Sequence, residues 1–321
     1  MINLIKWLAI SCVVASVVSC KPYEKPINIG AAPWPTFEFA FLAKQLGYFD
    51  EQQFTLLELT SSTSVIQAFQ TGKLDIAFLS LDEVLTLVAL GIDLKIVSVI
   101  DSSKGGDALL SKQKINHLSE LKFKTIGYEN KSAGALLLDE AFTLSSLNNQ
   151  TVELLEVKQN EAKHAYLSGK VDALIVKEPI KQELLALGAH EIINSTILRD
   201  PIVNVLIVSG KTFNEREDDV VNFVRQYYRA HLFYQKNKEE ARATIAVRLQ
   251  LYPHLFENAL TNTQFITAKN SLMRLSGQPS NLEYLASKLS RFMIEKRMLS
   301  QIQTDFDTLI SPRILERAIY E

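Results

Sequence analysis

The sequence predicts an α/β protein of two similar lobes joined by a two-strand hinge, with a helical C-terminal tail. From residue 27 onward, short β-rich runs alternate with helix-like stretches, which is typical of βαβ units. The segment AFQTGKLDIAF at 68–78 recurs as AYLSGKVDALI at 165–175, an offset of 97 residues. The same offset carries Ile-Gly at 29–30 onto Ile-Gly at 126–127. Two landmarks in one register indicate a repeated lobe.

The elements of the two lobes follow in the same order. In the first lobe the strand-like runs are INIGA, FTLLEL, LDIAFL and LKIVSVI, with predicted helices at 36–47, 62–71 and 82–90. In the second they are KTIGYE, VELLEV and VDALIV, with predicted helices at 132–147 and 160–168. The Gly of each Gly-Lys-x-Asp is expected to end a helix in the left-handed conformation. The strand ends that follow, FLSLDE and IVKEP, mark the edge where open parallel sheets bind ligands.

The tail begins after a strand-like run at 201–210. EDDVVNFVRQYYRAHLFYQ carries apolar side chains at spacings of 3 and 4, which predicts an amphipathic helix. Further helices are predicted at 238–248, 254–260, 263–274, 281–296 and 312–319. We expect them to complete the first lobe, so the chain crosses between lobes near 105–110 and 202–208. Lobe one then covers residues 20–106 and 206–321, and lobe two covers residues 107–205.

The first 20 residues have the layout of a secretory signal. Lys6 precedes the apolar run WLAISCVVASVVS, whose 13 residues are short for a membrane span of roughly 20. VVSC at 17–20 resembles a bacterial lipobox, which would make residues 1–19 a cleaved signal peptide and Cys20 the lipidated N-terminus. Cys12 would then be discarded. The alternatives are an uncleaved short anchor and an ordinary signal with a coincidental cysteine.

Composition and motifs narrow the class of function. The chain has 321 residues, 22% of them charged, and a net charge of −2, so nothing points to nucleic acid. The five histidines lack metal-ligand spacing, and there is no G-x-S-x-G, P-loop or H-E-x-x-H motif. The sequence therefore predicts no metal, no cofactor and no catalytic residue.

Four segments in order carry a family resemblance: WPTFEFAFLAKQLGYFDE, SSTSVIQAFQTGKLDIAFLSLDE, GIDLKIVSVIDSSKGGDALL and IGYENKSAGALLL. Together they resemble the periplasmic substrate-binding proteins of the nitrate, sulfonate, taurine and thiamine-pyrimidine ABC transporters, over about residues 27–210. The resemblance implies a type II periplasmic-binding fold whose lobes close on a small molecule and pass it to an ABC permease. It also implies a monomer on the periplasmic side of a bacterial membrane.

Two other functions share this fold. A sensor subunit would present the loaded lobes to a membrane receptor instead of a permease, and its cleft would be identical. An enzyme of thiamine-pyrimidine synthesis is the third reading, although the cysteine-rich stretch associated with that branch is absent.

In lobe one, candidate ligand contacts follow the first two strands. Trp34 precedes a helix whose first amides, at Thr36 and Phe37, can hold an anionic group or a carbonyl. Relatives often have Gly at position 36, so the Thr36 side chain is expected to narrow the cleft or to supply a hydroxyl. Ser61 and Ser62 follow FTLLEL, where one hydroxyl is an ordinary N-cap and its neighbour can reach the ligand.

Two adjacent acids follow the third strand. Ser80 and Glu83 stand in the S-x-x-E spacing of a capping box, so Glu83 is the expected cap and Asp82 the expected ligand contact, with Ser80 beside it. If the Ser80 hydroxyl faces the cleft, the roles of the two acids reverse.

In lobe two the candidates follow the repeated strands. Glu129 at the end of KTIGY can face the cleft, and Ser132 opens the next helix. Glu178 either contacts the ligand or stabilises the helix that begins near Pro179. Asp107 lies beside the hinge, where the resemblance places an acid.

These acids predict the charge of the ligand. No arginine stands on a comparable strand end, and desolvated carboxylates repel anions. The sequence therefore predicts a ligand with an amine or aminopyrimidine group, and Lys131 leaves room for a zwitterion.

Overall fold

The structure is a computed structural model that describes residues 24–130, 133–300 and 305–321. The predicted signal peptide, the lipidation site Cys20, and the candidates Lys131 and Ser132 lie outside these residues. Two sheets organise the described chain, and helices cover both.

The first sheet has six strands in the order β11-β4-β10-β3-β1-β2. Their bounds are Ile27–Ala31 (β1), Phe54–Glu58 (β2), Ile76–Ser80 (β3), Leu94–Ser103 (β4), Val203–Ser209 (β10) and Thr263–Phe265 (β11). The second sheet has five strands in the order β7-β6-β8-β5-β9. Their bounds are Asp107–Ser111 (β5), Thr125–Tyr128 (β6), Glu153–Glu156 (β7), Ala173–Lys177 (β8) and His190–Asn194 (β9).

The repeat seen in the sequence is present in the pairing of the strands. Ile29 on β1 lies opposite Ile76 on β3, and 97 residues later Ile126 on β6 lies opposite Ala173 on β8. The Asp of each Gly-Lys-x-Asp does the same work in both lobes. In each lobe its carboxylate accepts a hydrogen bond from the backbone of the lobe's first strand. The Asn28 amide donates to Asp75 at 2.8 Å, and the Thr125 amide donates to Asp172 at 2.9 Å.

Each sheet is mixed, because the strand that enters from the other lobe runs antiparallel. In the first sheet β10 pairs antiparallel with β3 and β4, and in the second β5 pairs antiparallel with β8 and β9. The chain leaves the first sheet between β4 and β5 and returns between β9 and β10. β10 begins at Val203, inside the range that the sequence assigned to lobe two, and pairs wholly within the first sheet.

The helices of the two sheets are α1 (Glu38–Gln45), α2 (Ser62–Gln70), α3 (Leu81–Ala89), α4 (Gly134–Thr143), α5 (Ala162–Ser168) and α6 (Ile180–Ala186). The tail contains α7 (Gly210–Glu215), α8 (Glu217–Lys236), α9 (Lys238–Leu249), α10 (Pro253–Thr261), α11 (Ala268–Leu275), α12 (Asn281–Glu295), α13 (Phe306–Leu309) and α14 (Arg313–Tyr320). The predicted helix at 263–274 is wrong over its first residues. Residues 263–265 form β11, because they pair with the edge of β4.

Apolar side chains alternate between the two faces of the second sheet. Ala108 and Leu110 on β5 pack into one cluster, while Leu109 packs into the other. This period of two shows that helices cover both faces of the sheet. The first lobe has a single larger core, to which the tail helix α8 contributes Phe223 and Tyr227. The Tyr227 hydroxyl donates to the Thr36 carbonyl at 3.0 Å, which fixes the tail to the start of α1.

Candidate functional site

The two sheets point the ends of β3 and β8 at each other across a small buried cavity. We call this cavity the inner cavity; its volume is about 20 Å³. Both lobes line it, with the aromatic rings of Trp34 and Phe37 and the polar side chains of Ser62, Ser80, Glu83, Asp107, Lys177 and Asn204. A space of this size is about that of one water molecule.

Lys177 ends β8 and brings a positive charge into the inner cavity. Its ammonium donates to the Ser62 hydroxyl across the cleft and lies 3.8 Å from Glu83 Oε1. Burial alone would lower the pKa of Lys177, but the surrounding carboxylates, Glu83 first among them, outweigh it and raise the pKa. The lysine is therefore charged. The sequence pattern did not predict Lys177 as a ligand contact, although the 97-residue offset aligns Lys177 with Ser80.

Glu83 combines the two roles that the sequence divided between the adjacent acids. Its Oε2 accepts a hydrogen bond from the Ser80 amide at 2.9 Å, as the capping box predicts. Its Oε1 is buried without a hydrogen bond from any described residue and faces Lys177. One carboxylate thus caps α3 and lines the inner cavity.

Asp82 lies on another face of the same helical turn and lines a different, larger space. This outer cavity has a volume of about 370 Å³ and lies between α3, α4 and the C-terminal part of α12. Burial, and then the charge of Glu83, raise the pKa of Asp82 to about 7, while the Ser80 hydroxyl and Lys177 act in the opposite direction. The two acids of the sequence therefore belong to two cavities.

Asp107 occupies the first position of β5, opposite Lys177 in the pairing of β5 with β8. It is 3% exposed, and its Oδ2 has no hydrogen-bond partner among the described residues. Burial raises the pKa of its carboxyl, and the Ser103 hydroxyl and Lys177 oppose the shift. A buried carboxylate oxygen without a partner is costly unless a ligand or water satisfies it.

Trp34 and Thr36 are both held by Asp101, which lies near the end of β4. The Trp34 indole donates to Asp101 Oδ2 at 2.9 Å, and the Thr36 hydroxyl donates to the same oxygen. The Thr36 hydroxyl thus faces Asp101, and Thr36 does not line the inner cavity. Gly106 lies against the Trp34 ring so closely that a Cβ there would come within 2.7 Å of Cη2.

The loop before α2 contacts the second lobe. Ser61 is the N-cap, because its hydroxyl accepts from the Ser64 amide at 3.2 Å. Ser62 meets Lys177, and Thr63 meets Glu129. The Glu129 Oε1 accepts from the Thr63 hydroxyl at 2.8 Å and from its amide at 3.3 Å. Glu129 therefore spans the cleft at the N-terminus of α2, where a negative charge is favoured.

Glu178 is turned toward the hinge side of the cleft. Its Oε1 accepts from Asn262 Nδ2 and Gln182 Nε2, each at 2.8 Å. Burial raises the pKa of Glu178 to about 7, and the two amide donors oppose the shift. It does not line the inner cavity, but its second oxygen is buried without a hydrogen bond from the described part of the chain.

Residues 24–130, 133–300 and 305–321 contain neither a metal-binding cluster nor a membrane-spanning helix. No group of three or more His, Cys, Asp or Glu side chains is arranged to hold a metal ion. No helix in these ranges has the length and apolar character to cross a membrane.

The paired lobes, their repeated strand order and the cleft between them define the periplasmic-binding-protein fold. The family model described as NMT1/THI5 like matches residues 34–241, more than half of the chain. The chain belongs to this NMT1/THI5-like family.

Three known proteins illustrate the similarity. A Bacillus subtilis (strain 168) protein whose name describes it as an aliphatic sulfonates-binding protein is 26% identical over 234 residues, which is 70% of each chain. The alkanesulfonate-binding protein SsuA from Xanthomonas axonopodis pv. citri, solved bound to MOPS, is similar with a TM-score of 0.76 at 18% identity, covering 91% of this chain and 99% of that one. The desulfurization enzyme DSZB is similar with a TM-score of 0.65 at 16% identity, covering 91% and 99%.

Proposed function

We propose that the chain is the solute-binding lipoprotein of an ABC importer, which closes its lobes on a small molecule at the inner cavity and delivers it to a permease. The family, the two-lobed fold and the names of the Bacillus and Xanthomonas relatives support this function. The protein acts by binding and release, so its ligand leaves chemically unchanged.

The ligand we propose is a zwitterion with an ammonium group and an acid group. One observation carries this choice: charged Lys177 lies at the centre of the inner cavity among the carboxylates of Glu83 and Asp107. The lysine suits a sulfonate or carboxylate, and the unbonded oxygens of the two acids suit an ammonium. The ammonium group of this ligand was predicted from the sequence. The positive charge of Lys177 is the reason for adding an acid group to it.

The residues around the ligand divide into two groups in this proposal. Trp34, Ser62, Ser80, Glu83, Asp107 and Lys177 contact it directly. Thr36, Ser61 and Glu178 do not contact it, because their hydrogen bonds are to Asp101, to the Ser64 amide, and to Asn262 and Gln182. Asp82, Glu129 and Ser132 stay candidates at the edge of the cleft.

Binding requires the lobes to separate first, because a cavity of about 20 Å³ cannot hold a zwitterion. The contacts that must open include those of Lys177 with Ser62 and Glu83, of Glu129 with Thr63, and of Lys296 with Asp139. The two chain crossings between the sheets serve as the hinge.

The proposed location of the protein is the periplasmic side of a bacterial membrane. Residues 1–19 are removed as a signal peptide, and lipid on Cys20 anchors a monomer at the periplasmic side of the membrane. Metabolic labelling with a fatty acid should mark the chain and should fail for Cys20→Ser; equal labelling of that variant would remove the anchor from the proposal.

A thermal-shift assay of the purified chain tests the ligand class. Aminosulfonates, amino acids, amines, aminopyrimidines, plain sulfonates and oxyanions form the panel. A zwitterion at about 100 times its Kd should raise Tm by about 5 °C, since ligand binding stabilises by mass action. Lys177→Met and Asp107→Asn should each remove the shift.

Exposed positions provide the matched controls. Lys211→Met and Asp218→Asn change the same residue types where the side chains are 80% and 89% exposed, so both should keep the full shift. If plain sulfonates stabilise the protein as well as aminosulfonates, the ammonium is not recognised.

Mass spectrometry of the released ligand tests binding against catalysis, and a chemically altered ligand would overturn the binding function.

A further inference from the structure

The outer cavity has the size of a small-molecule site and lies outside the inner cavity. At about 370 Å³ it falls in the range of ligand pockets, roughly 300–1,000 Å³. Its walls come from three parts of the chain: α3 of the first lobe, α4 with the neighbouring β6 and β7 of the second lobe, and the C-terminal part of α12 with the residues after it. None of the inner-cavity residues Glu83, Asp107 and Lys177 lines it.

One buried carboxyl group faces this space. Asp82 is 4% exposed and lines the outer cavity, and its carboxyl forms no ion pair with any described residue. Lys177, at the end of β8, pairs with Glu83 instead. A carboxylate buried in this way favours a cationic partner.

The rest of the wall is mixed, with an apolar part between α4 and α12 and polar side chains that include Thr86, Asn149 and Arg297. Leu136, Leu138 and Phe142 of α4 face Met293 of α12 and Met298 beyond it. Leucine and methionine side chains pack against hydrocarbon of many shapes. At the rim, Lys296 pairs with Asp139 at 3.0 Å, so this lysine is already neutralised, and the ion pair joins the tail to the second lobe.

We propose that the outer cavity is a second ligand site, which takes a primary amine with an apolar body. The ammonium pairs with Asp82, and the hydrocarbon lies between α4 and Met293. The two sites share no charged side chain, although both lie between the lobes. The adjacent acids Asp82 and Glu83 thus serve two different ligands.

Isothermal titration calorimetry of the purified chain with n-hexylamine tests this site. The amine should bind saturably at one site per chain. 1-Hexanol and hexanoate, with the same hydrocarbon, should bind at least about tenfold more weakly, because a charge-assisted hydrogen bond to Asp82 is lost or replaced by repulsion. Ethylamine should also be at least about tenfold weaker, because four buried methylene groups are missing.

Two kinds of variant locate the amine. Asp82→Asn keeps the shape of the side chain and should weaken n-hexylamine by about tenfold or more. Leu136→Trp fills the cavity from a half-buried position and should do the same without touching the charge. The controls are Asp218→Asn, at a side chain that is 89% exposed, and Leu144→Trp, whose native side chain is 56% exposed just beyond α4. Both controls should change affinity by less than about threefold.

The inner-cavity variants separate the two sites. Lys177→Met and Asp107→Asn should leave n-hexylamine binding within about threefold of the unmodified chain. Loss of binding in these variants with retention in Asp82→Asn would place the amine in the inner cavity and overturn the proposal. Absence of saturable binding, equal binding of 1-hexanol, or tighter binding of hexanoate through Arg297 would overturn it as well. Failure of the zwitterion panel, in contrast, concerns only the inner cavity.

Discussion

Asp101 shows how a single buried residue shapes the cleft. It is fully buried and accepts hydrogen bonds from Trp34, Thr36 and Asn204. Burial raises the pKa of its carboxyl to about 6, and the three donors oppose that shift. The three donors therefore stabilise the ionised form of Asp101. Asp101 in turn holds the Trp34 indole, which lines the inner cavity.

Thr36→Val tests this role. Valine keeps the shape of the side chain and removes one donor from a buried carboxylate, which should lower the free energy of unfolding by about 1–3 kcal/mol. Ligand affinity should change little, because the Thr36 hydroxyl faces Asp101. Denaturant unfolding followed by the fluorescence of Trp34, the only tryptophan beyond residue 7, measures the effect.

Thr71→Val is the matched control for this change. Its hydroxyl donates to the Gln67 carbonyl at 2.9 Å on an exposed helix end, where water can replace it, so the loss should stay below about 0.5 kcal/mol. A large loss of ligand affinity in Thr36→Val without a loss of stability would instead make Thr36 a ligand contact.

At this scale the sequence predicted positions better than directions. Trp34, Ser62, Ser80, Glu83 and Asp107 come together because each follows or begins a strand, and strand ends are visible in the pattern. The direction of a side chain in the first turn of a helix is not visible there. This direction places Asp82 and Glu83 in different cavities. It depends on which of the two carboxylates accepts the hydrogen bond from the Ser80 amide, and in the structure that carboxylate is Glu83.

At the scale of elements, the repeat was predictable because it rests on local sequence. Strand, turn and Gly-Lys-x-Asp recur at one offset, and the strand pairing keeps that offset from β1 and β3 to β6 and β8. The edge strands β9 and β11 were not predicted. Such strands are defined by long-range partners, as Gln264 is by Ser102, more than by their own residues.

The two repeated aspartates, Asp75 and Asp172, should contribute unequally to the free energy of unfolding. Asp75 accepts from the Asn28 amide and, at 3.1 Å, from the Thr212 hydroxyl, so it joins the first strand to the tail. Asp172 binds the Thr125 amide, but its side chain is 47% exposed, where water can replace it. Asp75→Ala should cost about 1–3 kcal/mol and Asp172→Ala about 1 kcal/mol or less.

Equilibrium unfolding in urea measures both changes, with Asp218→Ala as the exposed control at 89% exposure. A larger loss from Asp172→Ala than from Asp75→Ala would contradict the additional role of Asp75 in holding the tail.

At the scale of the whole molecule, the protein buries several carboxyl groups whose protonation depends on folding. Burial is the main cause of each shift: it raises the pKa of Glu38, Asp82 and Glu178 to about 7 and that of Asp101 to about 6. His231, stacked on Phe265, moves the other way, because burial lowers its pKa to about 4. These groups take up or release protons when the chain unfolds, so stability depends on pH.

The direction of that dependence follows from the shifts. Near pH 6 the folded chain holds protons on Glu38, Asp82 and Glu178, and on about half of the Asp101 carboxyls, whereas the unfolded chain has released them. Their contribution to stability is therefore lost as pH rises through 6 and 7. His231 acts oppositely: the unfolded chain protonates it below about 6.5, so its contribution is lost as pH falls from there toward 4. Four groups outweigh one, and each net proton corresponds to about 1.4 kcal/mol per pH unit.

We therefore expect Tm to fall by about 5 °C or more from pH 5 to pH 8, as differential scanning fluorimetry across buffers would show. Glu178→Gln and Asp82→Asn each remove one titrating carboxyl, so each should flatten the decline and raise Tm more at pH 8 than at pH 5. Glu215→Gln, at a side chain that is 63% exposed, should leave the profile unchanged. A Tm that stays level or rises from pH 6 to pH 8 would mean that these buried carboxyls are ionised in the folded protein, held so by Lys177, Arg248 and their hydrogen-bond donors.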